Sequence, residues 1–274
     1  MPQGIPIYSA LRVISASKSG SSRPAVIDTE AGYFFTKLRG AAQGVAALVA
    51  EIVVAALAEA LGLWVPSRIL VAISPATETA EREDEFLDLL AASHGLNLGF
   101  QYLPGASDIR PDEVEAIDAN LASQVLWLDA LVMNVDRTRR NPNLMRWQNQ
   151  LWMIDHGAAL PFQYNWSTVT EDSPRSTEYA IQHHIFWHQA RHLDTWDKVL
   201  AAQLSRALLQ DVVAQIPDCF LRPLLHPGAS AVKVEHRRQA YAAFLWKRLK
   251  PPRPFMARWL AHQQIDDSPL HMRR

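Results

Sequence analysis

Asn134-Val135-Asp136-Arg137-Thr138-Arg139-Arg140-Asn141-Pro142-Asn143, read together with Ile154-Asp155-His156-Gly157 a short way downstream, decides how this chain is interpreted. The first segment follows an apolar stretch of helical period. That stretch reads as a helix over 111–133, with Pro111 at its start and Asp112, Glu113 and Glu115 in its first turn. Two short apolar runs, 143–147 and 151–154, flank the turn Gln148-Asn149-Gln150 and read as a strand pair. The second motif begins where that pair ends. Alone, Asp136 and Asn141 would be ordinary turn or cap residues. An Asp, an Asn five positions on and an Asp-x-Gly behind an apolar strand turn the reading toward chemistry.

The spacing is that of loops that transfer phosphoryl groups. An attacking hydroxyl must be oriented and must give up its proton late, so one carboxylate has to sit beside it; Asp136 is the candidate. Mg²⁺ is a hard ion that takes oxygen ligands, and Asn141 and Asp155 supply an amide oxygen and a carboxylate. Gly157 is read as the residue that lets the chain turn sharply after the metal ligand. Further out, Lys37 ends the apolar run Tyr33-Phe34-Phe35-Thr36-Lys37-Leu38, where a lysine either points at phosphates or is a solvated edge residue. Glu51 lies among Ala, Val and Ile in a helix read over 41–61, and a buried carboxylate there needs a partner. Lys37 would serve; Glu59, nearer the helix end, is the competing choice. The polar loop 17–22 would cover phosphates, with Ser19, Gly20 and Ser21 bringing backbone N–H groups close. With one Gly it reads equally as a plain loop.

Other chemistries lack support. There is no G-x-G-x-x-G, no G-x-x-x-x-G-K-[ST] and no G-x-S-x-G. His184, His188 and His192 recur every four residues on a stretch read as helix from 177 onward. Without H-E-x-x-H or a completing carboxylate, that face reads as packing rather than Zn²⁺ binding. Asp129 is either a partner for the loop backbone or a polar helix position.

The rest of the chain frames these residues. Strands are read at 11–16, 24–28, 33–38, 68–73 and 98–103, helices at 41–61 and 81–92, with Gly62 as a left-handed cap and Gly95 as a stop. Residues 158–178 read as a polar loop, and helical patterns dominate from 177 to about 263. The change from strands to helices near 103–112 marks a hinge between two lobes, 1–103 and 104–274. The fold class is therefore α+β, with 274 residues enough for two real cores. A net charge of −1 gives no field for nucleic acid. A single Cys219 excludes an internal disulfide and fits a reducing, cytoplasmic setting, as does the lack of a signal peptide. The apolar stretch 45–65 carries Glu51 and Glu59 and reads as a buried helix, not a membrane span.

The run 33–38, Glu51 with Leu57-Ala58 and Leu61-Gly62-Leu63, the segment 134–143 and Leu151-Trp152-Met153-Ile154-Asp155-His156-Gly157-Ala158-Ala159 together resemble the HipA-like kinases. More specifically, they resemble the short stand-alone HipA-like kinase-domain proteins of bacteria. The phosphatidylinositol 3/4-kinases are similar at the site, through Asp-Arg-x-x-x-Asn and Asp-x-Gly. The resemblance covers about residues 10–190; Thr138 stands where that family commonly has a His. It implies a bilobal protein-kinase-like fold, ATP and Mg²⁺ as cosubstrates, and transfer to a hydroxyl, often of a protein serine. It further implies Lys37 on the phosphates, Glu51 holding Lys37, Asp136 as base, Asn141 and Asp155 on the metal, and Gln101 and Leu103 lining the nucleotide site. A small regulatory partner is compatible with it. Two alternatives stay open: a small-molecule or lipid-head-group kinase, and a non-catalytic kinase-like binding protein. The loop 17–22 and the hydroxyl-rich stretch 167–177 are candidate autophosphorylation sites.

Overall fold

The computed structural model describes residues 4–16, 23–226, 228–257 and 259–261. The candidate phosphate loop, with Ser19, Gly20 and Ser21, lies outside them.

The first half is built around β1 (Ile7–Ala16), β2 (Ala25–Thr29), β3 (Gly32–Lys37), α1 (Gly44–Ala60), β4 (Arg68–Ile73), the short β5 (Glu78–Thr79), α2 (Asp84–Ala92) and β6 (Gly95–Gln101). β1 is longer than its sequence suggested and pairs with β2, β4 and β5. Ile7, Tyr8 and Ser9 pair in parallel with β4, and residues 10–16 pair antiparallel with β2. The ladder β1–β2–β3–β6–β4 therefore closes on itself as a barrel, with β5 added at one end. Gly99 in β6 is required by packing, since a Cβ there would lie 2.8 Å from Val71 Cγ2 across the sheet. Thr29 shapes the β2–β3 turn, its hydroxyl accepting from the Ala31 N–H and donating to the Gly32 carbonyl oxygen.

The second half holds β7 (Ser107–Asp108), α3 (Ala119–Val132), β8 (Leu144–Trp147), β9 (Gln150–Met153), α4 (Leu193–Gln203), α5 (Arg206–Ala214), α6 (Asp218–Leu221) and α7 (Ala231–Leu249). β8 and β9 form the expected hairpin. Gln148 and Asn149 both take positive φ, 47° and 61°, the pattern of a two-residue turn that matches strand twist. Gly62 caps α1 with φ 76°, as read.

Two readings are corrected. The helix expected from 111 begins at Ala119. The Asp118 carboxylate accepts from the N–H groups of Asn120 and Leu121 and sets the start there. Asp112 and Glu113 instead bind Arg110. The stretch 177–192 is likewise not a continuous helix. It holds one 3₁₀ turn, Ile181–His183, and α4 opens only at Leu193. His184, His188 and His192 therefore share no helix face.

α1 is apolar all round because it is buried all round. Its residues join α3, α5 and α7 in one core, while Val13, Ile27, Phe34, Val71 and Phe86 fill the barrel in another. Among the described residues no helix is long and apolar enough to cross a membrane.

Candidate active site

Lys37 is the last residue of β3 and is buried. Its Nζ donates to the Glu51 carboxylate on α1 and to Asp155 Oδ1 at 2.6 Å. Glu51 is fully buried and also accepts the His156 N–H at 2.9 Å, so one carboxylate ties the strand lysine to the Asp-x-Gly backbone. Glu59 turns away and pairs with Arg68 through both carboxylate oxygens, at 2.9 and 2.8 Å. Burial works against the Lys37 ammonium, but Glu51 and Asp155 outweigh it and hold its pKa above the ordinary lysine value. Burial also acts on Asp155, yet the Lys37 charge prevails and keeps its carboxyl below the usual range. Burial dominates at Glu51 and pushes its carboxyl up.

The sharp turn expected of Gly157 is taken by Asp155 instead, at φ 52°, a conformation that Asp tolerates. Gly157 answers a different demand. A Cβ there would lie 3.3 Å from Ala47 Cβ and from Gln43 Oε1, tighter than most such contacts, so the glycine lets the motif press closely against α1.

Asp136 is oriented from the other side. Its Oδ2 accepts from Asn141 Nδ2 at 2.8 Å and from Asn143 Nδ2 at 3.2 Å, and its N–H donates to Asn134 Oδ1. Beneath this loop lies a buried network that the sequence reading largely missed. Arg137 is fully buried. Its Nε donates to Asp129 Oδ2 at 2.6 Å, Nη1 donates to the carbonyl oxygens of Asn143 and Ile154, and Nη2 donates to His156 Nδ1. Asp129 also accepts from Asn134 Nδ2 and from His184 Nε2 at 2.9 Å. His184 Nδ1 accepts the Phe186 N–H, which places the imidazole proton on Nε2, where it serves Asp129. Burial tends to raise the Asp129 carboxyl, but Arg137 and His184 hold it well below the usual range. Burial, aided by Arg137, takes His156 down to about 3. One signal was available: an acid inside an apolar helix needs a cation, and Arg137 is the nearest arginine along the chain.

A cleft of about 580 Å³ opens beside these residues. Lys37, Gln101, Leu103, Asn141 and Asp155 line it, with Phe35, Pro66, Phe100, Tyr102 and Met145 as apolar walls and Asp108 at the rim. Asp136 and Glu51 are joined to it through Asn141 and Lys37. The donors that face the cleft suit a hard cation: the Asn141 side chain gives its N–H to Asp136 and has its amide oxygen to offer beside the Asp155 carboxylate. Among the described residues no three His, Cys, Asp or Glu side chains converge as a metal cage. A cation held here would complete its shell with phosphate oxygens and water, as Mg²⁺ at nucleotide sites does.

The structure is similar to that of a proinflammatory kinase of Helicobacter pylori, CtkA, with a TM-score of 0.53 and 9% sequence identity over 94% of this chain and 98% of that one. At that identity the likeness concerns the fold. No curated protein sequence matches. The family model for HipA-like kinases matches residues 10–222, and the chain belongs to the HipA-like kinase family.

Proposed function

We propose that this kinase uses Mg-ATP and passes the γ-phosphoryl group to a hydroxyl, that of a protein Ser or Thr, across a site between two lobes, 1–103 and 104–274. The observation that carries the reading is Lys37, held by Glu51 and Asp155 at the wall of the cleft, facing the Asn141–Asp136 pair.

The chain's own residues then act as follows. Phe35, Phe100, Tyr102 and Met145 take the base between apolar walls, with Gln101 and Leu103 at its edge. Lys37 keeps Glu51 and would offer its remaining N–H groups to the phosphates, and Asn141 and Asp155 would hold the cation. Mg²⁺, when bound, neutralises charge that builds on the phosphate oxygens. With Oδ2 fixed by two amides, Asp136 has Oδ1 for the acceptor. The acceptor oxygen forms the new bond to γ-phosphorus, the bond to the β–γ bridging oxygen breaks, ADP leaves, and the acceptor proton passes to Asp136.

Two substitutions test this. Asp136→Asn is expected to leave ATP affinity nearly unchanged and to lower turnover by about 10²–10⁴, the usual contribution of a positioned base. Asp155→Asn is expected to weaken Mg-ATP binding and abolish transfer. Full turnover by the Asp136 variant, measured as labelled phosphate transferred, would remove the assignment.

A further inference from the structure

The cleft accounts for a nucleotide; the acceptor must use another face, and that face has its own character. Asn141, Asn143 and Asp155 line the cleft walls, but Asp136 does not. Around Asp136 the chain is open. Val135 is 55% exposed. Arg139 and Arg140, between Asp136 and Asn141, are both exposed, and neither pairs with a carboxylate among the described residues. The neighbouring run brings no acid. Thr138 bridges to His184, the Ile185 N–H donates to the Arg137 carbonyl oxygen, and the exposed Gln182 and His183 border the loop.

The loop that presents these two guanidinium groups is held from below through Arg137 and from the side through Asn141, so their backbone positions are set. Nothing in the described fold uses their charge. Small-molecule sites enclose most of their ligand, whereas this face sets the exposed Val135 beside two cations that pair with no carboxylate among the described residues. We propose that the acceptor is a Ser or Thr in an acidic stretch of a protein and that Arg139 and Arg140 select it by pairing with flanking Asp or Glu carboxylates. Arginine suits this because its planar fork meets a carboxylate with two parallel N–H bonds. The proposal rests on the kinase reading above.

The test offers the full chain and Mg-ATP three equal-length peptides with one serine flanked by Glu, by Gln or by Lys. kcat/KM is measured for the wild type and for Arg139→Glu with Arg140→Glu, and ADP release and ATP-dependent thermal shift are followed in parallel. For two exposed pairs, the Glu peptide is expected to lead the Lys peptide by at least about fivefold. The lead narrows as salt rises, and the double variant reverses the ranking, chiefly in KM. Equal rates, or a ranking that the double variant leaves unchanged, overturns the proposal. So does transfer to a phosphorylated sugar or inositol head group with none to any peptide. Failure of the kinase reading itself looks different: the wild type shows no ATP-dependent shift and releases no ADP with any acceptor, and the proposal falls with it.

Discussion

At the scale of single residues, the site rests on one buried acid, Asp129, that reaches no substrate. It gathers Arg137, Asn134 and His184, and through Arg137 it supports the carbonyl oxygens of Asn143 and Ile154 on either side of the β8–β9 hairpin. Its histidine partner makes the arrangement sensitive to pH. Burial holds the His184 pKa below its ordinary value, although Asp129 pulls it upward. The unfolded chain takes up this proton below about pH 6.5, where the folded chain still resists it. The unfolded state then binds more protons, so the stability contributed by neutral His184 is present above that pH and is lost as pH falls. One such group gives a slope approaching about 1.4 kcal/mol per pH unit. His184→Gln, which keeps an N–H for Asp129, is expected to flatten the decline in urea-unfolding free energy between about pH 6.5 and 4.5. Parallel curves for variant and wild type would count against this account.

Among elements, α7 does more than fill the core. Arg248, fully buried on it, donates to the carbonyl oxygens of Ala130 and Leu131 in the last turn of α3 and to those of Pro174 and Ser176 in the segment after the Asp-x-Gly motif. The end of a helix carries partial negative charge, which answers a buried guanidinium without a carboxylate. Burial still lowers its pKa to about 10. Arg175 adds bonds from the same segment to the carbonyl oxygens of Lys247, Lys250 and Pro252, and Phe162 stacks on Phe244 at 3.7 Å. The segment expected to be a plain polar loop is thus fastened to α7. Arg248→Met strands the buried carbonyl groups of Ala130, Leu131 and Pro174, each worth about 1–3 kcal/mol when unsatisfied, and frees the half-buried one of Ser176. A loss of at least about 3 kcal/mol is expected, read as a lower urea midpoint at unchanged slope. A loss under about 1 kcal/mol would show that the four bonds are replaceable.

For the whole molecule, α1 couples the two halves. It carries the Lys37 partner, and its apolar surface lies in a core shared by the C-terminal helices and by Leu70, Leu98 and Phe100 of β4 and β6, separate from the cluster that fills the barrel. Arg39 and Arg68 extend the join, donating to the Cys219 carbonyl oxygen and to Gln215 Oε1. Ligand in the cleft therefore touches both halves and is expected to stabilise them as one unit. At ATP about a hundredfold above its dissociation constant, linkage gives about 2.7 kcal/mol, on the order of 5–10 °C for a chain of this size. The shift should require Mg²⁺, because Asp155 alone would repel the phosphates. An equal shift with ATP and chelator would dismiss the cation role of Asn141 and Asp155.

Much of this was written locally. The strand at Arg68–Ile73, the β2–β3 and β8–β9 hairpins, the cap at Gly62 and the spacing of Asp136, Asn141 and Asp155 all follow from periodicity, turn chemistry and short motifs, which act over a few residues. Glu51 was distinguishable from Glu59 because an acid deep in an apolar helix demands a partner and one near its end finds water. Other features depended on contacts that no local pattern encodes. Barrel closure needs β1 to pair both with its neighbour β2 and with β4, which is distant in sequence. The start of α3 went to Asp118 because its side chain reaches the two nearest orphan N–H groups, whereas Asp112 and Glu113 engage Arg110. His184 left the helix its spacing suggested because Asp129 and Thr138 hold it elsewhere. The network of Asp129, Arg137 and His184 joins residues brought together only by packing, where a buried charge has to find its counterpart in space rather than along the chain.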